Sequence, residues 1–388
     1  MILKHLRKIF LACILFSSVF VNAQMMVGNQ ILYGNEWIRY DATYYKIKVA
    51  EDGWYKIPAD VLKAAGLPGT GSINVNKINL LHAGKQVPLI VENLLSPDGY
   101  LLFYGEKNRI SIDSFLYSNW KEQLLNPNYS LFTDTAAYYL AYLPNEADAQ
   151  RYEIVKPDYS QVNENAAPFY WHASEASFNA MHYKPVLNSQ NYRYSHFVRS
   201  EGFVKSFAAS TRDTIASSSI YQGDTSLRAQ LSLLISTNNN NINEKQIQIN
   251  NVLLGKDLAT NNQIARPVYN IRIEDLKDQN VVSIDNLGSN QNHGLSYRKL
   301  KYPRLPDLQG LSFATIETDA RYLSLKGWTS DLKFVLDQNS GKLYEIRQNG
   351  NTAAEGVALG RKISALARFG LIRQANTILD EVAVEPEN

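Results

Sequence analysis

The chain has 388 residues, 45% of them hydrophobic and 20% charged, which supplies enough apolar material for two or three cores and excludes whole-chain disorder. Three of its 39 basic residues, Lys4, Arg7 and Lys8, sit in an N-terminal stretch of removable type; without them 36 bases face 37 acids, a net charge of −1. So balanced a chain has no global attraction for nucleic acid, where contacts between basic side chains and phosphates supply much of the affinity.

The only cysteine, Cys13, lies in the same stretch. Residues 1–8 carry the three positive charges, 9–21 form an apolar run broken by Ser17 and Ser18, and Val21-Asn22-Ala23 offers a cleavage site before Gln24. That order is a secretory signal peptide over residues 1–23, and its apolar run is shorter than the roughly 20 residues of a membrane-spanning helix. Phe10-Leu11-Ala12-Cys13 departs from the lipoprotein pattern and would cut into the apolar run. Cleavage leaves a mature chain with no disulfide, no thiolate metal site and no cysteine nucleophile, so a large core must stabilise it. The expected location is outside the cytoplasm: periplasm, outer-membrane surface or extracellular space. No later segment reaches 18 uninterrupted apolar residues, so no transmembrane span is expected in the mature chain.

From Asp41 onward the pattern is short strands with turn punctuation. Residues 44–49 and 54–57 flank Glu51-Asp52-Gly53 and predict a β-hairpin. Pro58-Ala59-Asp60 opens a short helix over 61–65, which Gly66 stops and Pro68 keeps from resuming. A second hairpin is predicted from 78–81 and 87–91 around Ala83-Gly84-Lys85. Strands follow at 100–105, entered by Pro97-Asp98-Gly99, and at 136–142, ended by Pro144. A polar connection over 145–165 places a boundary near residue 155.

The second region has the same texture. Residues 227–235 alternate apolar and polar over most of their length, residues 237–241 form a polar loop, and 245–255 read as strand, asparagine turn and strand. Further strands are predicted at 281–284, 296–302, 311–317 and 322–325. This frequency of strands predicts a mainly β protein of two sandwich or jelly-roll-like domains, residues 24–155 and 156–330. Residues 353–379 place Leu359, Ile363, Leu366, Phe369, Leu371 and Ile372 among helix formers, so the C-terminal segment, 331–388, is predicted to be partly helical.

Candidate chemistry is sparse. His172, His182 and His196 are near in sequence, but their spacing matches no metal-ligand pattern and favours structural or surface roles. His82 and His293 read as solvated turn residues. Ser118-Asn119-Trp120-Lys121 fits Ser-x-x-Lys without its partner motifs, and a hydrolytic triad from scattered residues stays open because geometry defines it. Gly69-Thr70-Gly71 lacks the rest of a phosphate loop. Asp52-Gly53 and Asp98-Gly99 are turns before they are calcium ligands, and Asp113 is a lone acid. Tyr138-Tyr139, Phe169-Tyr170-Trp171 and Tyr192 to Tyr194 either cover a sandwich core or form stacking platforms for a glycan or a protein partner. No catalytic, cofactor or metal residues are assigned, and no cofactor is expected.

Several segments taken in order resemble a known family. Tyr45-Lys46-Ile47-Lys48-Val49, Asp52-Gly53-Trp54-Tyr55-Lys56-Ile57, the helix to Gly66, Gly99 to Gly105, Asn128-Tyr129 to Leu140, Ile247 to Asn251 and Leu300 to Arg304 are similar to the region before the catalytic domain of gingipain-like cysteine peptidases (family C25). The nearest subgroup is the type IX secretion sortase-like proteins of Bacteroidetes, and the similarity covers residues 36–340. The resemblance implies a downstream caspase-like domain with a Cys/His dyad, which cleaves the sorting signal of exported cargo and joins the cargo to a surface lipopolysaccharide. No segment of this sequence resembles that domain, so no catalytic residue carries over. The implied role is that of a non-enzymatic N-terminal region, with a caspase-like domain or secretion components as partners. The alternative is a cell-surface jelly roll that binds glycan or protein.

Overall fold

A computed structural model describes the chain between residues 36 and 345, apart from 68–73, 111–112, 144–148, 157–164, 185–198, 238–242, 260–263, 289–291, 309–312, 319–321, 327–333 and 339, together with short strands outside those limits. The leader, Cys13, Gly69 to Gly71, Tyr192 to Tyr194, His196 and the 238–241 part of the asparagine loop lie outside the described residues. The fold is mainly β, as the spacing of strands and turns predicts, with helices Ala59–Ala64 and Trp120–Gln123 as the α-helical elements among the described residues.

Two stacked sheets make the first region. One has the order Ile378–Val382, Thr43–Val49, Ala136–Tyr142, Ile78–His82, Lys85–Gln86; the other has the order Ile372–Gln374, Gly53–Pro58, Tyr100–Gly105, Ile90–Glu92. Alternate residues of each strand point between the sheets, where Ile47, Val49, Ile57, Leu80, Leu101, Phe103 and Leu140 are wholly buried. Each such side chain contributes roughly 1.5–3 kcal/mol on leaving water.

The predicted hairpin over 44–57 is not one. Its two strands belong to opposite sheets: Thr43–Val49 pairs with Ala136–Tyr142, and Gly53–Pro58 pairs with Tyr100–Gly105. Both strands carry core-facing residues, Ile47 and Val49 on one and Tyr55 and Ile57 on the other, so the connection crosses the sandwich and lets them face each other. Local turn chemistry is the same for a hairpin and for such an arch; the burial of both faces decides between them. The second predicted hairpin is present in shortened form. Leu81 pairs with Gln86 and His82 with Lys85 across a turn in which Ala83 and Gly84 have φ of 48° and 76°, after which Ile90–Glu92 crosses to the other sheet.

The second region is also a sandwich. The sheet Ser210–Ala216, Gln279–Asn286, Asn243–Ile249, Val252–Ala259 covers an eleven-stranded sheet whose centre is Tyr170–Ser177, His293–Arg304 and Arg228–Thr237. Leu231, Leu233, Ile247, Ile249, Val282, Ile284, Leu300 and Tyr302 fill the space between them. Asn250 and Asn251 make the predicted turn, both with positive φ.

The C-terminal segment differs from the predicted helical tail. In its described residues it forms strands at Ala353–Val357, Ala365–Gly370, Ile372–Gln374 and Ile378–Val382. Ala365–Gly370 pairs with Phe313–Thr318, and the last two strands extend the two sheets of the first sandwich. Helix propensity is a weak prior of tenths of a kcal/mol per residue, and open sheet edges with unpaired backbone groups override it.

Candidate functional site

Between the two sandwiches lies a cleft of about 740 Å³. Its floor is one face of the central sheet. Residues opposite one another in an antiparallel pair share a face, so Trp171, Ala173, Glu175 and Ser177 lie on the same side as their partners Pro303, Lys301, Lys299 and Tyr297. Cross-strand Glu175 and Lys299 form an ion pair at 2.9 Å, and Lys301 reaches Glu317 at 2.7 Å while its ammonium stands 5.4 Å from the centre of the Trp171 ring. The facing wall comes from the first sandwich. Asp52, in the arch, accepts from the Lys107 backbone N–H at 2.9 Å and from Arg109 at 2.6 Å, and Glu106, Lys107 and Asn128 complete the rim.

These pairings fix the electrostatics. Burial works against the Arg109 guanidinium, but Asp52 outweighs it and the pKa of Arg109 rises. The Tyr297 phenol is held protonated by burial first, by the negative charge of Glu175 second and by its hydrogen bond to that carboxylate third. Among the described residues, no group of three His, Asp or Glu side chains is arranged to hold a metal ion. Ser177 Oγ accepts from Asn126 at 3.0 Å, so the hydroxyl on the floor is tied to a structural amide. The cleft offers charged and amide side chains in fixed geometry, an indole and a phenol.

The structure disperses the singled-out histidines. His172 is buried on the core side of its strand against Tyr302, its Nδ1 has no hydrogen-bond partner, and burial, assisted by Arg304, lowers its pKa to about 4. His182 lies 3.7 Å from Glu201 and packs on Phe203. His293 is not a solvated turn residue: it is fully buried at the start of a strand, with Nδ1 3.1 Å from Asn286 Oδ1 and a pKa lowered to about 4, first by burial and then by Lys245. The following Gly-Leu-Ser-Tyr run continues the strand, which carries His293 under the neighbouring sheet. His82 is half-buried, stacked on Tyr138 with its Nδ1 3.0 Å from the Ala137 carbonyl.

Other candidates resolve as structure. Asp113 is buried and accepts from Ser130 Oγ and the Leu131 N–H. Ser118 Oγ bonds Gln123. Tyr138 and Tyr170 are core residues, whereas Trp171 reaches the cleft. Glu175, Lys299, Lys301, Glu317 and Arg109 went unnoticed in the sequence, although the alternation Trp171-x-Ala173-x-Glu175-x-Ser177 against Tyr297-x-Lys299-x-Lys301 puts opposite charges on one face once the two strands are paired.

No protein-family model matches the chain, and no curated protein matches it. Among solved structures, the fold is similar to dimeric latent PorU from Porphyromonas gingivalis, with a TM-score of 0.56 and 12% identity over 85% of this chain and 31% of PorU. The chain thus spans about a third of that protein. Weaker likenesses are to the CBM36-1 domain of a xylanase from the hindgut metagenome of Trinervitermes trinervoides (TM-score 0.21, 10% identity, 33% of this chain and 95% of that one) and to the β-porphyranase BpGH86A of Bacteroides plebeius (TM-score 0.21, 10% identity, 68% and 35%).

Proposed function

We propose that this chain is the exported, non-catalytic N-terminal β region of a gingipain-like type IX secretion sortase, and that its task is to support and position a peptidase domain. The observation that carries this reading is the shared fold with PorU along 85% of the chain. The family-like segments support it from a second direction. Residues 45–49, 54–57, 100–105 and 136–140 lie on four strands around one core, and 247–251 and 300–304 belong to the second sandwich.

A scaffold of this kind acts through rigidity. It holds a partner domain in one orientation, which matters because misplacement by about 1 Å can cost on the order of a hundredfold in rate. A gingipain-like caspase-like domain supplied as a separate chain should co-elute with residues 24–388 in size-exclusion chromatography, and its thiol-dependent peptide hydrolysis should rise in the mixture. The scaffold alone should hydrolyse no peptide with or without thiol reagents. Independent elution with unchanged turnover, or hydrolysis by the scaffold alone, rejects the reading.

A further inference from the structure

The strand Asn243–Ile249 carries a lysine where the pattern calls for an apolar residue. Lys245, Ile247 and Ile249 alternate onto the core face of the second sandwich, and all three are wholly buried. The register sets Lys245 directly opposite Asn286, as it sets Ile247 opposite Ile284 and Ile249 opposite Val282. Lysine and asparagine therefore share the core-facing side at one end of the sandwich. Opposed residues have Cβ atoms about 5 Å apart, and the four-carbon stem of lysine spans that distance. On its other flank Lys245 has Asp257 opposite it in the register.

A third group reaches Asn286 from the facing sheet. His293, wholly buried at the start of its strand, has Nδ1 3.1 Å from Asn286 Oδ1, and its Nε2 has no hydrogen-bond partner. With its hydrogen on Nδ1, the ring donates to the amide oxygen and keeps a lone pair on Nε2. Burial first, and the charge of Lys245 second, hold this imidazole neutral, so it is a free base within the field of the ammonium. Lysine is almost never fully buried, because its charge is costly away from water. Conversion of the amine into an amide removes that charge.

We propose that Lys245 and Asn286 join through their side chains in an intramolecular amide bond, with His293 carrying the proton and supporting the amide oxygen. His293 Nε2 takes a proton from the ammonium, Nζ attacks Asn286 Cγ, and the Nδ1–H stabilises the charge that develops on Oδ1. The tetrahedral adduct collapses by breaking the Cγ–Nδ2 bond, and the imidazolium returns its proton to the departing nitrogen. Of the hydrogens on the ammonium, one stays on the new amide nitrogen and the others leave with Nδ2. Lysine ammonium and carboxamide thus give a secondary amide and an ammonium ion, with no oxidant or further reactant. Burial, the larger cause, keeps the imidazole neutral once the lysine charge has gone. The product ties Asn243–Ile249 to Gln279–Asn286 covalently, in a chain whose single cysteine, Cys13, can form no internal disulfide. The inference goes beyond the scaffold role and does not depend on it.

The test is mass spectrometry of the purified full chain. Digestion should release a branched pair of peptides that joins Lys245 to Asn286 and is lighter than their sum by one ammonia, with fragment ions placing the link at those two residues. Lys245→Met, which keeps the apolar stem, should abolish the pair. His293→Gln, which can still donate to Oδ1 but cannot take up the proton, should lower the linked fraction by about tenfold or more. Recovery of the two parent peptides separately at their sequence masses shows that Lys245 stays an amine in the core, and overturns the proposal without recourse to any variant. Ammonia lost at Gln24 by cyclisation, or at Asn286 as a succinimide with Lys245 unlinked, overturns it as well. An undiminished link in His293→Gln overturns the assignment to the imidazole.

Discussion

His172 and His293 are buried neutral imidazoles, and that makes the fold sensitive to acid through them. A histidine in an unfolded chain titrates near 6.5, whereas burial first, and then a neighbouring cation in each case, holds both near about 4 in the folded protein. As pH falls below about 6.5 the unfolded chain takes up these protons and the folded chain does not. The stability contribution is therefore whole above that pH and shrinks until about 4, where the folded protein also binds them. Each histidine should cost about 1.4 kcal/mol per pH unit across the window. Urea unfolding between pH 4.5 and 7 should show this slope, and the double substitution His172→Gln, His293→Gln should lower stability at pH 7 while flattening the slope by about two protons. An unchanged slope in the double variant would show that neither imidazole is held neutral.

At the scale of elements, the two asparagines of the Asn250-Asn251 turn have different tasks. Both have positive φ, 51° and 68°, a conformation that asparagine tolerates and other side chains avoid. Asn250 also ties the turn down: its Nδ2 donates to the Asp275 carbonyl at 2.9 Å and to Asn280 Oδ1 at 2.8 Å, and its Oδ1 accepts from the Val281 N–H at 3.0 Å. Asn251→Ala should cost about 1 kcal/mol of backbone strain, and Asn250→Ala should add the loss of three hydrogen bonds, for about 2–4 kcal/mol in all. Asn251→Gly should be neutral or stabilising. Equal effects of the two alanine variants in chemical denaturation would disprove the division.

Elements such as this turn were legible because their signal is local. The Asn-Asn turn, the short helix stopped by Gly66 at φ 90° and the strands Tyr100–Gly105 and Ala136–Tyr142 are all set by a few adjacent residues. In the run Leu233-Leu234-Ile235 the core-facing alternation holds, Leu233 and Ile235 being buried and Leu234 half-buried; the register to 293–304 shifts there, Leu234 pairing with Tyr297 and Ile235 with Leu295, so the extra residue of the bulge sits on the partner strand. The arch at Asp52 and the strands after 353 were misread because their outcome depends on which distant strand is available. The cleft was illegible for the same reason, since Asp52 and Glu175 meet one wall each only after two sandwiches have formed.

At the scale of the molecule, the two sandwiches are joined by a compact set of polar contacts around Glu201. The Leu125 N–H donates to the Glu201 carbonyl at 3.0 Å and the Ser200 N–H to the Gln123 carbonyl at 2.7 Å. The buried Tyr117 hydroxyl donates to the Glu201 carboxylate, whose other oxygen is 3.7 Å from His182. Arg266 adds a contact at 2.8 Å to the Lys121 carbonyl and an exposed pair with Glu122. The side-chain contacts are unequal in value. Glu201→Ala leaves the Tyr117 hydroxyl buried and unpaired, a cost of about 1–3 kcal/mol, whereas Glu122→Ala removes a solvent-screened pair worth at most about 1 kcal/mol. Since the lost contact lies between the sandwiches, its cost falls on their coupling. Calorimetry of the parent chain should show one transition, Glu122→Ala should preserve it, and Glu201→Ala should resolve it into two, with the less stable sandwich melting first. A single transition in Glu201→Ala, shifted no more than in Glu122→Ala, would mean that the coupling resides elsewhere, in the packing of Trp54, Leu102 and Tyr104 against Leu336 and Leu343.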